Sequence, residues 1–383
     1  MRDILSKYLK GDPVIWFIVF ILSVYGILAV YSSTGTLAYV ERSGNTEYYL
    51  IKHVALLIFG LFTMWLTHMV NIQYFSRISQ IMLWISIPLL VYTMLFGVTI
   101  NDATRWVALP GIGLTVQTSD FAKVALIIYV ARFMAKRQGE VHNFKKTLIP
   151  ILGIILLICV LIFPEDFSTS AVLFVTSMLV LFIGRIPLKQ LGVLVGIGVL
   201  VFGGLFAYVW NTDVEFGRIA TMKSRIETFI EEGNDGSNFQ SNQAKIAVAR
   251  GGFVGEGPGN SRQKNILPSP FADFIYAIII EEYGSILGGL ALIILYLLLL
   301  YRTFRIVLKT ENSLAALMSI GLAFSLVVQA FINMGVAVNI LPVTGLALPI
   351  VSRGGTSILF TSIAFGIILS ASRTIHQERE DAK

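Results

Sequence analysis

Residues 271–301 read Phe271-Ala-Asp273-Phe-Ile-Tyr-Ala-Ile-Ile-Ile-Glu281-Glu282-Tyr-Gly284-Ser-Ile-Leu-Gly-Gly-Leu-Ala-Leu-Ile-Ile-Leu-Tyr-Leu-Leu-Leu-Leu-Tyr301. An apolar run of this length is a membrane-spanning helix, for which about 20 residues suffice. Three carboxylates, Asp273, Glu281 and Glu282, stand at its head. An ionised carboxylate in hydrocarbon costs roughly 2.5–3.5 kcal/mol on insertion scales, so such residues face a protein interior or a water-filled cavity and often mark a site.

Working outward, comparable apolar stretches recur along the chain. Hydropathy predicts about ten spans, at 13–32, 48–69, 78–98, 117–135, 147–163, 169–184, 187–210, 272–301, 313–334 and 349–371. Hydrophobic residues make up 55% of the chain and charged ones 14%, far from the soluble average. The fold class is therefore an all-α integral membrane protein, a single polytopic domain over 1–383, with one large loop at 211–271 between helices seven and eight. The first apolar run is too long for a signal peptide core and has no small-residue cleavage site, so it reads as the first span. The only cysteine, Cys159, lies within a span, which leaves no intramolecular disulfide. The four His are scattered without metal-ligand spacing.

Basic residues set the orientation. With ten spans both termini share a side. Placing them in the cytoplasm puts 17 of the 29 Lys and Arg on inner segments, from Arg2 and Lys7 through Arg137, Lys145 and Lys146 to Arg302, Arg305 and Arg373. The 211–271 loop then lies outside and carries seven basic residues, a weak signal because long loops translocate regardless of charge. Topology thus accounts for most of the positive net charge, and no nucleic-acid motif is present.

A loop of this length is functional or disordered more often than not. Residues 217–232 and 239–250 read as amphipathic helices. They are followed by Gly251-Gly252-Phe253-Val254-Gly255-Glu256-Gly257-Pro258-Gly259, whose glycines permit tight turns and close backbone approach. Asn260-Ser261-Arg262-Gln263-Lys264 continues the loop, which re-enters the membrane at Asp273.

Each polar constellation has a structural and a chemical reading. Asp273 is either a helix-capping acid or a general base facing a substrate. Glu281, eight residues on and about 12 Å deeper on an ideal helix, reads as the partner of a buried cation such as Lys123. Asp120 and Lys123, three apart, form a self-neutralised pair on one helix face or leave Lys123 to meet an anion. Arg105-Trp106 is an ordinary interfacial pair or supplies an anion clamp. Arg218, Lys245, Arg250, Arg262 and Lys264 are solvated charges singly and an anion-binding surface collectively. The prolines and glycines of 341–357, including Gly354-Gly355, suggest a broken or re-entrant segment, which survives at membrane depth only where buried or lining a cavity.

Together these residues resemble the SEDS family, the FtsW and RodA group. The resemblance rests on Asp273-Phe274-Ile275 with Glu281-Glu282-Tyr283-Gly284, and on the glycine-rich run ending in Ser261. It rests also on Pro342-Val343-Thr344-Gly345 with Ser352-x-Gly354-Gly355-Thr356-Ser357, and on Gln117-x-Ser119-Asp120-x-x-Lys123 preceded by Arg105-Trp106. The motifs occur in family order over nearly the whole chain. The resemblance implies a peptidoglycan glycosyltransferase of the bacterial cytoplasmic membrane that polymerises lipid II on the outer face, partnered by a class B penicillin-binding protein. Membrane lipids and other divisome proteins complete its surroundings. It maps the family's essential Asp onto Asp273. It makes Arg105, Lys123, Arg218, Lys245, Ser261, Lys264, Ser352 and Thr356 candidates for substrate binding, and Gln117, Ser119, Asp120, Glu281, Gly354 and Gly355 supporting residues. A divalent cation, Mg or Mn, is compatible with a diphosphate leaving group, but no multi-carboxylate cage demands one.

The chain departs from the family pattern in four places. Thr118 and Asp120 stand where Pro and Glu are usual, Arg353 where Tyr is common before the paired glycines, Ser269 where an acid is common, and Glu165-Asp166-Phe167-Ser168-Thr169 replaces Pro-Asp-Leu-Gly-Thr. Arg105-Trp106 and Asn333–Val338 look more like the FtsW branch than the RodA branch. The competing expectations are a lipid II flippase or other transporter, a RodA-type elongation polymerase, and a non-catalytic scaffold for a penicillin-binding protein.

Overall fold

The computed structural model describes residues 9–35, 46–100, 103–109, 114–211, 239–267 and 270–381. The helix expected over 217–232, and Arg218 within it, lie outside these. The elements in chain order are α1 (Pro13–Ser33), α2 (Thr46–Met69), α3 (Ile72–Phe96), β1 (Val98–Ile100), β2 (Ala103–Leu109), β3 (Leu114–Gln117), α4 (Thr118–Lys136), α5 (Ile149–Ile162), α6 (Phe167–Ile183), α7 (Leu188–Asn211), α8 (Phe239–Gly251), α9 (Ile275–Gly284), α10 (Ala291–Lys309), α11 (Ser313–Ala337) and α12 (Ser357–Asp381).

Among the described residues, seven helical stretches are long and apolar enough to cross a membrane: α1, α2, α3, Phe144–Ile162, Ile275–Lys309, α11 and Ser357–Ile375. The other three expected spans coincide with α4, which carries Asp120, Lys123, Arg132 and Lys136, and with the shorter apolar helices Phe167–Ile183 and Leu188–Gly204. The expected amphipathic helix at 239–250 is α8. The three strands depart from the all-helical expectation. They form one small antiparallel sheet in the order β1-β2-β3, with Trp106 of β2 opposite both Val98 and Gln117.

The chain divides into two compact units. The first comprises Met1–Trp65, Arg225–Arg302 and Leu326–Ile363, the second Leu66–Ser224, Thr303–Ser325 and Ala364–Lys383.

In the first unit, α1 begins at a cap. Asp12 accepts from Val14 N at 2.9 Å, with Pro13 at the first helical position, where its missing N–H costs nothing. The same carboxylate takes Arg302 of α10, Nε at 2.9 Å and Nη2 at 2.5 Å. The run that reads as one span from 272 to 301 is two helices. Gly284, with φ of 79°, ends α9, and a π-helical turn over Ser285–Leu290 leads into α10. The glycine-rich loop after α8 seats in this break. Carbonyls of Glu281 and Glu282, freed by the break, accept from Glu256 N at 2.9 Å and Gly257 N at 3.0 Å. Ser285 N donates back to Gly252 O at 2.9 Å. The approach is so close that a Cβ on Gly251 would lie 2.1 Å from Ile280 O, and one on Gly284 2.3 Å from Phe253 O. Those positions admit glycine alone.

The last expected span, 349–371, starts eight residues late, because Pro349–Thr356 is not helical. Ile350 (φ 68°) and Gly355 (φ 55°) hold left-handed backbone that a helix cannot contain. The segment between α11 and α12 is instead pinned by side chains: Gln329 Nε2 donates to Ala347 O at 2.8 Å, and the fully buried Tyr296 donates its hydroxyl to Pro349 O at 2.7 Å. Tyr296→Phe leaves that carbonyl without its donor. It should cost about 1–2 kcal/mol and appear as a melting temperature lowered by a few degrees in detergent. An unchanged melting curve would show that the bond contributes nothing.

In the second unit, α3 packs on α4, and α4 packs on α5 and α6. Asn71 caps α3 through Gln73 N at 3.2 Å, and Asp166 caps α6 through Thr169 N at 3.1 Å. The sheet delivers Gln117 directly into Thr118, the first residue of α4.

Candidate active site

Asp273 sits in the turn that feeds α9, in the first unit, and is half-buried. The residue flanking the helix is Phe274, so Asp273 does not occupy the cap position. Three successive carbonyls of this turn are each held by a different donor. Phe271 O accepts from Arg353 N at 3.0 Å, Ala272 O from Ser352 Oγ at 2.8 Å, and Asp273 O from Asn333 Nδ2 at 3.1 Å. Asn333 also donates to Leu346 O at 2.8 Å, and Ser352 Oγ accepts from Leu348 N at 2.8 Å. The broken segment and α11 thus grip the backbone of the turn. Arg353 adds a second hold: its guanidinium lies 5.1 Å from the Phe271 ring and 4.6 Å from that of Tyr49, within cation–π range.

One helical stretch below, Glu281 is fully buried. It is met by the loop that precedes the turn: the Ser261 hydroxyl donates to it, as do Arg262 N at 3.1 Å and Gln263 N at 3.3 Å. Those amides open the short 3₁₀ helix Gln263–Asn265, so the carboxylate binds an amide cradle at a helix start. The expected pairing of Glu281 with Lys123 is therefore corrected. Backbone and hydroxyl donors, closer in sequence, satisfy the acid, and Lys123 Nζ is 3.1 Å from Asp120 Oδ1.

Lys264 belongs to the same network. Its N donates to Ser261 Oγ at 3.1 Å, and its Nζ to Gly259 O at 2.6 Å and Ser32 Oγ at 3.3 Å. Ser32 in turn donates to Glu282, whose other oxygen is buried without a partner among the described residues. Ser261, Lys264, Glu281, Ser352 and Asp273 are thus gathered by a few hydrogen-bonded links within one unit. Thr356 is buried at the head of α12, behind Gly354 and Gly355. Lys245 lies exposed on α8.

The remaining candidates fall in the second unit. Arg105 is buried; its Nε donates to Glu165 O at 2.7 Å, and its Nη1 is 3.0 Å from Asp166 Oδ2, an ion pair without hydrogen-bond alignment. Asp120 and Lys123 pair with each other, and Gln117 Nε2 donates to Ser119 Oγ at 3.1 Å. Arg105, Thr118, Ser119, Glu165 and Asp166 line a small pocket together with apolar side chains such as Leu90, Leu161 and Ile162. Both cations, Arg105 and Lys123, are engaged by carboxylates.

Gln329 and Ser32 carry roles that the sequence reading did not single out, and Asn333, noted there only within the Asn333–Val338 run, holds the turn at Asp273 O. A signal existed: Gln329 and Asn333 are four apart in an apolar span, and amides in a span turn toward protein. Among the described residues no group of three or more His, Cys, Asp or Glu is placed to hold a metal ion.

The family model described as "Cell cycle protein", covering FtsW, RodA and SpoVE, matches residues 12–377. The chain is 35% identical over 371 residues to the probable peptidoglycan glycosyltransferase FtsW of Alcanivorax borkumensis, covering 94% of this chain and 92% of that one. Stage V sporulation protein E of Bacillus subtilis is 30% identical, with 96% of this chain and 98% of that one covered. Among solved structures, a chain of a peptidoglycan synthase complex that coordinates polymerization and crosslinking superposes with a TM-score of 0.75 at 23% identity, covering 97% of this chain and all of that one. The rod shape determining protein RodA of Thermus thermophilus superposes at 0.67 with 22% identity, covering 97% of this chain and 99% of that one.

Proposed function

The chain belongs to the FtsW, RodA and SpoVE family, and from this premise we propose that it polymerises lipid II into glycan strands at the outer face of the bacterial cytoplasmic membrane, with Asp273 as general base. It is a multi-pass membrane protein, read as one polytopic domain with both termini in the cytoplasm and 211–271 as its outer loop. The observation that carries the reading is the near full-length match to relatives named peptidoglycan glycosyltransferases. Several of these bear the FtsW name, which favours a role in cell division. A class B penicillin-binding protein is the proposed crosslinking partner.

The chemistry asks for a base and for positive charge. The acceptor sugar hydroxyl attacks the anomeric carbon of the donor, a C–O bond forms, and the C–O bond to the lipid diphosphate breaks. The hydroxyl proton passes to the carboxylate of Asp273. The turn supports this role, because three bonds to its main-chain carbonyls fix the place of Asp273 at the head of α9. The departing diphosphate needs cations or amide donors in place beforehand. Lys264, with Arg262 and Lys245 nearby in sequence and Arg218 upstream, supplies them in this reading, while Arg105 and Lys123 act through their ion pairs. A divalent cation would be held largely by the diphosphate itself.

The test is direct. Purified wild-type protein, with its penicillin-binding partner, is given lipid II, and glycan chains are resolved by gel electrophoresis. A ladder of polymer supports the reading. Lipid II moved across vesicle bilayers without polymer would support the transporter instead.

A further inference from the structure

Phe253 and Val254 are among the most exposed large apolar residues of the described chain, at 77% and 83%. They form the tip of the glycine-rich loop, and that tip is held firmly. Gly255 N donates to Gly251 O at 2.8 Å, while Gly252 O accepts both Ser285 N at 2.9 Å and Ser285 Oγ at 2.6 Å. Two hydrophobic side chains are thus presented outward by a rigid turn, which calls for a cover.

Depth within the membrane identifies that cover. Two polar contacts tie α1 to the α9–α10 stretch, Asp12 to Arg302 at one end and Ser32 to Glu282 at the other. Residues 12 and 32 on one strand of the pair, and 302 and 282 on the other, are each twenty apart. Twenty residues rise about 30 Å, which is the thickness of the hydrocarbon core. The two contacts are therefore spaced as the two faces of that core are, and we take them as its boundaries. Ser285, to which the tip is bonded, follows Glu282 by three residues on the side of α10 and so lies inside that boundary. Ile286, Leu287 and Leu290 follow on the same stretch and are exposed at 53%, 64% and 50%, continuing the apolar surface that a spanning helix shows to lipid.

We propose that the Phe253–Val254 tip is inserted among the acyl chains of the leaflet at the Glu282 end, a wedge that moors the loop to the bilayer. Insertion by 5–10 Å is the usual depth for interfacial anchors. On the polar side of the wedge come Arg262, exposed, and Lys264, at headgroup level. The mooring holds the cradle around Glu281 at the surface where any lipid-linked anion presents its phosphates. The inference stands on geometry and does not depend on the polymerase reading.

A nitroxide label reports it. Cys159 is fully buried, so Val254→Cys offers the one reactive thiol in the full-length protein. The labelled protein, alone in lipid nanodiscs, is compared with an Arg262→Cys reference by power saturation. We expect the label at 254 to collide with oxygen several-fold more than with a water-soluble nickel chelate, and the label at 262 to show the reverse. Equal nickel access at both positions would overturn the proposal. So would shielding from both reagents, which marks a protein cover such as a second copy. Nickel access lost only on adding a partner protein would overturn it as well, and would identify the tip as a docking surface for that partner.

Discussion

Asp273→Asn is expected to lower the rate of lipid II polymerisation by about 10²–10⁴-fold, the span that general-base catalysis contributes, without unfolding the protein. The reasoning comes from the clamp. Arg353 N, Ser352 Oγ and Asn333 Nδ2 hold the carbonyls of residues 271, 272 and 273, and none of these bonds uses the carboxylate. Asn keeps the volume and polarity of Asp but cannot accept a proton at neutral pH. The measurement pairs single-turnover polymerisation with a melting curve and a binding assay for the partner protein. Rate lost with melting and binding retained assigns the chemistry to the carboxylate. Undiminished polymer from the Asn variant would remove Asp273 from the base role. A matched Asn333→Ala variant leaves the carboxylate in place but frees the backbone of the turn. It should lose less, roughly tenfold, consistent with misplacement of a group near the chemistry.

The fold class was legible because hydrocarbon imposes a coarse rule: long apolar runs, with polar atoms satisfied inside. What the rule cannot reveal is where a run stops being one helix. Positions 272–301 contain no proline, and only the close approach of another backbone explains why Gly284 breaks the helix. Likewise 349–371 passes as a span by hydropathy although Ile350 and Gly355 hold non-helical backbone. The site followed the same pattern. Asp273 was visible as a carboxylate at the head of an apolar run, and Ser261 and Lys264 as members of the polar, basic run after the glycines. The partner of Glu281 was not, because main-chain N–H groups are absent from any list of charged residues. A search for a cation finds Lys123; the donors are a hydroxyl and two amides, held nearby by the returning loop.

That amide cradle supports the second large effect. Glu281→Ala should destabilise the protein by about 3 kcal/mol, because a buried hydroxyl, the buried amide of Gln263 and the part-buried amide of Arg262 lose their acceptor, at roughly 1–3 kcal/mol for each buried donor. Glu281→Gln keeps one carbonyl oxygen but turns an amide donor toward those N–H groups, so it should fall between Ala and wild type. Ser261→Ala removes one donor and leaves the acid with the amides of Arg262 and Gln263, and so should cost least of the three. The order Glu281→Ala, Glu281→Gln, Ser261→Ala is read by melting temperature in detergent. Limited proteolysis should also show cleavage between 259 and 267 in the first two variants and none in wild type. Polymerisation should fall in step with the opening of this loop, since Lys264 reaches Ser32 and Gly259 O only from its folded form. A Glu281→Ala protein that melts like wild type and resists the protease would mean that the cradle holds the loop without its anion, and that Glu281 belongs to the chemistry rather than to the scaffold.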